Sequence, residues 1–278
     1  MKVAYLGPAG TNGEQAARLF APDADHLPCP SHAEVARAVD SGAADAGVVA
    51  IENALNGSVA ETLDILIHET DLRIQRELVL PIVHDLAVKP GTTPADVRII
   101  YSHTAAFGQC RKFLAEHYPR VTIEPALSTA GAVELAMARE GDAAAIATGR
   151  AAELYGAEVI AHDIGDAGHN VTRFVLLARG QQPPTGQDRT SIAFWFADDR
   201  PGSLAGVLAE FASRHINCTK IESRPTRAAF GEYVFLVDFD AHEDDAEGRD
   251  VLAAIAPLCS DVKVFGSYPR WQSLSSAR

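Results

Sequence analysis

Apolar positions recur along this chain in two rhythms. Short apolar runs at residues 2–6, 46–51, 99–102 and 143–147 are separated by longer amphipathic stretches, and that alternation predicts strands and helices of an α/β fold. Ser31-His32-Ala33-Glu34 and Ser58-Val59-Ala60-Glu61 place Ser three residues before Glu at the head of an apolar-periodic segment, the pattern of a capping box. Helices are expected after each, the first stopping near Gly42. Two more are expected over residues 106–117 and 129–140, the second closed by Gly141, and a strand over 172–178 ends the region.

Residues 180–188 are polar, carry Gly180, Pro183, Pro184 and Gly186, and lose the periodicity, which marks a linker between a domain at 1–179 and another at 189–278. Beyond it, Ile192, Phe194 and Phe196 alternate with Ala193 and Trp195. Leu204, Val207, Leu208 and Phe211 then follow helical spacing. Strands at 218–223 and 233–239, a helix at 246–256 and a strand at 262–268 complete β-α-β-β-α-β, the ferredoxin-like order.

A length of 278 residues with 47% hydrophobic composition supports two packed domains. The net charge of -13 argues against nucleic acid as a partner, because such affinity rests on clustered Lys and Arg. The first apolar run breaks at Gly7-Pro8, too early for a signal sequence or a membrane span. Cys29, Cys110, Cys218 and Cys259 form no C-x-x-C pair, so neither a disulfide framework nor a zinc site is expected, and a reducing cytoplasm fits.

The familiar nucleophile-elbow, zincin, Walker and dinucleotide motifs are absent. Gly7-Pro8-Ala9-Gly10-Thr11 lies between a strand and a helix, where N–H groups can receive an anion; a plain tight turn has the same signature. Glu52-Asn53-Ala54-Leu55-Asn56-Gly57-Ser58 gathers polar groups at the C-terminal end of a strand, a usual ligand position in α/β sheets, and equally describes a solvated loop with Ser58 as N-cap. Ser102-His103 could suggest a nucleophile with its base, yet adjacent residues leaving a strand face opposite ways; a ligand hydrogen bond from Ser102 is the better reading. In His169-Asn170-Val171-Thr172-Arg173-Phe174 a hydroxyl, a guanidinium and an aromatic ring stand side by side, able to hydrogen-bond a departing oxygen and to grip a carboxylate.

Taken in order, these segments resemble prephenate dehydratases. The resemblance rests on Gly7-Pro8-Ala9-Gly10-Thr11, Ile51-Glu52-Asn53 with Gly57-Ser58-Val59, Ser102-His103 with Gln109-Cys110, Ala152-Glu153-Leu154-Tyr155-Gly156 and Asn170-Val171-Thr172-Arg173-Phe174. The second half is similar to an ACT regulatory domain at Arg200-Pro201-Gly202-Ser203-Leu204 and Ile221-Glu222-Ser223-Arg224-Pro225.

The resemblance implies a two-subdomain catalytic region like a periplasmic binding protein, conversion of prephenate to phenylpyruvate without metal or organic cofactor, and phenylalanine as effector. It implies Thr172 as the group that hydrogen-bonds the leaving hydroxyl, Arg173 on a substrate carboxylate and Phe174 shaping the ring pocket. Thr11, Asn53, Ser58, Ser102 and Gln109 complete the substrate site, and Gly202, Ser203, Leu204, Glu222, Ser223 and Arg224 the effector site. Chains of the family assemble as dimers or tetramers. The sequence departs from the family pattern at Asn12-Gly13, at Ala50 and Ala54, and at Thr104-Ala105. A non-aromatising prephenate decarboxylase, arogenate as substrate and a silent amino-acid sensor therefore stay open as alternatives.

Overall fold

A computed structural model describes residues 1–198, 200–226 and 232–272. In chain order the strands and helices are β1 (Lys2–Leu6), α1 (Asn12–Phe20), β2 (Asp25–Cys29), α2 (His32–Asp40), β3 (Ala46–Asn53), β4 (Gly57–Ser58) and α3 (Ala60–Asp64). A π-helical turn (Ile65–Glu69) leads to β5 (Arg73–Pro81), β6 (Asp85–Val88), β7 (Ile99–Ser102), α4 (Thr104–Gln109), α5 (Arg111–His117), β8 (Thr122–Pro125), α6 (Thr129–Met137), β9 (Ala143–Ala147), α7 (Gly149–Leu154), β10 (Glu158–Ala161) and β11 (Val171–Ala178). Then follow β12 (Asp188–Trp195), α8 (Ser203–Ser213), β13 (Cys218–Pro225), β14 (Tyr233–Phe239), α9 (Ala246–Ile255), a 3-10 turn (Ala256–Leu258) and β15 (Asp261–Pro269). Two units result, Met1–Thr62 with Leu78–Phe174, and Leu63–Glu77 with Val175–Arg278.

The first unit carries two lobes. One is built on the sheet β2-β1-β3-β11-β5, with β1 parallel to β2 and β3; the other on β10-β6-β9-β7-β8. The chain crosses between the lobes after β5 and again before β11, the arrangement of periplasmic binding proteins. Strand β9 shows why the second lobe packs so closely. It reads Ala-Ala-Ala-Ile-Ala and is buried throughout, with Ala144 and Ile146 in one apolar cluster and Ala143, Ala145 and Ala147 in another. A strand covered on both faces needs no polar alternation.

Helix caps follow the sequence in part. Ser31 Oγ accepts the Glu34 N–H at 3.1 Å, and α2 ends at Asp40 before Gly42, whose φ is 79°. After the second expected box the helix α3 does follow, with Ser58 in β4 opposite Glu52 and Glu61 accepting from the Ala33 N–H at 3.4 Å. The helix expected over residues 106–117 is two helices. The break is at Cys110, fully buried with φ −118° and ψ 19°, because its side chain is drawn into the lobe core. Strands β2, β4, β5, β6, β8 and β10 go beyond the sequence reading; β2, β5, β8 and β10 are sheet edges, where a Pro as in β2, β5 and β8 is tolerated, whereas β6 is a short buried strand inside its sheet.

In the second unit β12, α8, β13, β14, α9 and β15 form the ferredoxin-like order on an antiparallel sheet β13-β14-β12-β15. Phe194 stacks on Phe235 at 5.5 Å and Phe211 meets Phe239 at 5.2 Å within its core. The segment Leu63–Glu77 packs with this domain. Gly266 (φ 150°) comes so near Ile74 that a Cβ there would lie 2.3 Å from the Ile74 carbonyl, so only glycine fits. Lys263 Nζ donates to the carbonyls of Ile67 (3.3 Å) and Thr70 (2.8 Å), satisfying acceptors at the end of the π-helical turn.

The turn before α1 hangs on Glu14. Its buried carboxylate accepts the Gly10 N–H and pairs with Arg18 at 2.7 Å. Burial pushes this carboxyl up, but the Gly10 N–H and Arg18 outweigh it and hold it below its ordinary value of 4.5. A group held down in the folded state stabilises above its unfolded pKa, and that contribution disappears as pH falls through the folded value. Glu14→Gln should therefore cost about 1–3 kcal/mol at neutral pH. In urea unfolding the gap to wild type should close as the pH drops below about 4.

Candidate active site

A cavity of about 640 Å³ opens between the two lobes of the first unit. Its walls come from the ends of elements: the turn into α1, the C-terminal part of β3, the start of β11, and the heads of α4 and α6. Five expected site residues meet there, namely Thr11, Asn53, Gln109, Thr172 and Phe174.

Asn53 is the junction of the polar wall. Its Oδ1 accepts the backbone N–H groups of Leu55 and Asn56, both at 3.0 Å. A backbone N–H can only donate, so this fixes which end of the amide is oxygen. The Nδ2 end therefore faces Thr172 Oγ1 at 2.9 Å, Asn170 Oδ1 at 2.9 Å and the Val171 carbonyl at 3.1 Å. Thr172 Oγ1 is the acceptor in its contact with Asn53, which leaves its own O–H for a ligand. Asn170 Nδ2 reaches Gln109 Oε1 at 2.9 Å, and His84 Nε2 meets the same oxygen at 2.6 Å. His84 and Asn170 also belong to the site, and sequence reasoning did not select them. Asn170 carried a signal, two residues before Thr172 on one strand face; His84 carried none.

Strand alternation separates Arg173 from its neighbours. Thr172 and Phe174 line the cavity; Arg173 faces the other way and pairs with Glu52 at 3.6 Å. Ser58 and Ser102 also stand outside the lining. The Ser102 side chain is fully buried, and its hydroxyl donates to the Ile146 carbonyl at 2.7 Å, tying β7 to β9. His103 lines the cavity and its Nδ1 accepts the Ala105 N–H at 3.3 Å, capping α4. Of the departures from the family pattern, Asn12, Gly13, Ala50 and Ala105 are in the lining. Ala54 and Thr104 are not, and the Ala54 N–H donates to the Val171 carbonyl at 2.9 Å.

Among the described residues the lining contains three histidines and no lysine or arginine. Burial holds His32 below the ordinary imidazole value, with Glu61 opposing it. Positive potential is supplied by α1 and α6, whose capping residues Thr11 and Ser128 both line the cavity; first-turn N–H groups have no partner within their own helix. Burial pushes the Cys110 thiol up to about 12, so it stays protonated beside Gln109.

In the second unit Gly202, with φ 97°, is the N-cap of α8. Ser203 Oγ accepts the Arg200 N–H at 3.2 Å, and Leu204 packs on the domain core. Glu222 and Arg224 share one face of the edge strand β13 and pair at 3.5 Å, while Ser223 lies exposed on the other face. Arg224 also reaches Asp64 at 3.0 Å.

Fold and site together define a two-lobed α/β enzyme region, with its ligand cavity between the lobes, followed in the chain by a ferredoxin-like domain. The family model for prephenate dehydratase matches residues 3–182, and that for the ACT domain matches residues 190–257. A prephenate dehydratase of Mycolicibacterium vanbaalenii is 39% identical over 99% of this chain and 93% of its own length. The structure of the Arthrobacter aurescens prephenate dehydratase in complex with L-Phe superposes with a TM-score of 0.90 at 36% identity, covering 97% of this chain and 90% of that one. A structure described as a novel type of quorum quenching acylase superposes at 0.88 with 30% identity, covering 98% of each chain. The chain belongs to the prephenate dehydratase family.

Ser102→Ala removes a buried strand-to-strand hydrogen bond and should lower stability by about 1 kcal/mol. The KM for the substrate should stay unchanged in steady-state assays. A rise in KM without loss of stability would return Ser102 to the ligand.

Proposed function

We propose that the chain acts in the cytoplasm as a prephenate dehydratase of phenylalanine biosynthesis, forming phenylpyruvate with release of water and carbon dioxide. The observation that carries this reading is the 2.9 Å contact in which Asn53 Nδ2 donates to Thr172 Oγ1 inside the cavity. The Thr172 hydroxyl is thereby turned into a donor for the oxygen that leaves the ring. The C–O bond breaks with its electron pair, the pair of the C–C bond to the ring carboxylate flows into the ring as carbon dioxide departs, and a proton from solvent completes the water. A Thr hydroxyl is too weak an acid to be ionised, so it lowers the barrier by a placed hydrogen bond rather than by losing its proton.

The substrate is a dicarboxylate. The N–H groups at the α1 and α6 N-termini favour its charge. Arg173 contributes by holding Glu52, next to Asn53, rather than by direct grip. The chemistry needs no metal or organic cofactor. An acylase-like role analogous to the third relative would need an activated nucleophile; Ser102 is buried and bonded to Ile146, and burial raises the thiols of both Cys110 and the cavity-lining Cys29.

Phenylalanine is proposed as feedback effector, held by the Gly202-Ser203-Leu204 turn and by Glu222, Ser223 and Arg224, in an assembly of two or four copies of the chain. The bound L-Phe of the Arthrobacter relative supports this.

Purified protein incubated with prephenate should yield phenylpyruvate, read by ultraviolet absorbance and mass. A non-aromatic product that has lost carbon dioxide but kept its hydroxyl would instead make the departures at Asn12, Ala50 and Ala105 the basis of a decarboxylase. Thr172→Ala should lower kcat by about 10²-fold or more. Asn53→Asp should lose at least as much, because a carboxylate oxygen facing Thr172 would capture the hydroxyl proton.

Calorimetry with phenylalanine should show weaker binding in Ser203→Val and Glu222→Ala, with turnover in the absence of effector preserved. Unchanged affinity in both would displace the effector site from these motifs.

A further inference from the structure

The polarity fixed at Asn53 does not stop at Thr172. Asn170 Oδ1 accepts from Asn53 Nδ2, so the atom that Asn170 presents to Gln109 is its Nδ2, a donor. The facing atom of Gln109 is then necessarily Oε1. That oxygen also meets His84 Nε2 at 2.6 Å, and since it can only accept, His84 Nε2 carries a proton. The His84 Nδ1 atom is buried and has no hydrogen-bond partner. Its residue is 5% exposed, and its ring lines the cavity.

Both lone pairs of Gln109 Oε1 are thus engaged, one by Asn170 and one by His84, and the amide cannot turn over without setting its NH₂ against two donors. Its NH₂ end remains for the cavity. Two backbone N–H groups, of Leu55 and Asn56, therefore set the sense of a chain of five side chains, from Thr172 through Asn53, Asn170 and Gln109 to His84.

We propose that His84, in its Nε2–H tautomer, is a positioning residue that locks the Gln109 amide so that Gln109 and Thr172 both offer donors to the substrate. The inference rests on the dehydratase reading of the same cavity and adds two residues to it, His84 as the terminal lock and Asn170 as the relay. A wall offering hydrogens at both points suits a ligand whose oxygens accept there, as carboxylates and a leaving hydroxyl do. A wall with Gln109 reversed would set carbonyl oxygen against those atoms.

The full-length protein with prephenate tests this through His84→Leu and His84→Gln. Leucine removes the donor, whereas the glutamine amide nitrogen can stand where Nε2 stood. His84→Leu should lower kcat/KM about tenfold, the scale of one hydrogen bond in a closed site, and His84→Gln should recover most of that loss at matched thermal stability. Independently of activity, nitrogen-15 spectra of the histidine rings in the ligand-free protein should show His84 protonated at Nε2, with a bare lone pair at Nδ1. Equal kcat/KM in His84→Leu and wild type, no recovery with glutamine in a folded variant, or a proton on Nδ1 alone would overturn the proposal. If wild type fails to make phenylpyruvate, the dehydratase reading falls and the tautomer measurement still decides the lock.

Discussion

The site depends on the pinning of one amide. Asn53 ends a buried strand, and the chain turns back over it so that two successive backbone N–H groups meet its oxygen. An amide in solution offers its two ends with equal ease. Here the turn removes that freedom, and hydrogen-bond direction is passed on to Thr172 and Asn170. The cost of ordering these side chains is met by folding, before a ligand arrives, which is the condition for a polar wall to favour a transition state over a ground state.

Electrostatics in the cavity follow the same economy. A dianionic substrate would suggest paired arginines, yet the lining holds none among the described residues, and the nearby Arg173 is turned to Glu52. Helix N-termini supply a softer field. A full guanidinium in a closed apolar pocket carries a large desolvation cost when the pocket is empty, whereas N–H dipoles carry much less. Aromatisation of the ring supplies the thermodynamic drive, so the enzyme needs orientation more than brute charge.

The second unit is organised by charge at its margins and aromatic packing within. Arg189 pairs with Glu77 at 2.8 Å, Arg73 with Glu243, and Arg224 with Asp64, so each of three ion pairs fastens the segment Leu63–Glu77 to the ferredoxin-like domain. Arg224 belongs to the motif proposed to hold phenylalanine.

The alternation of apolar runs determined by itself the two-part α/β and ferredoxin-like organisation. Strands β7, β9 and β14 fall where the pattern puts them, because a strand buried against a core must be apolar wherever it is covered. The motif around Thr172 likewise showed which residue types gather at the site. Tertiary structure alone decided which way each faces. Edge strands such as β2 and β8 escape the pattern because one side of them owes nothing to the core, the central strand β6 escapes it because four residues headed by Asp85 are too few to show a period, and the helix through Cys110 breaks where that side chain enters the core. Ser102, Ser58 and Arg173 sit beside the cavity in sequence and outside it in space, since strand geometry turns neighbours to opposite faces. His84 is the reverse case. Nothing local distinguishes it, and it enters the site only because the chain crosses between lobes there and brings an imidazole within 2.6 Å of Gln109.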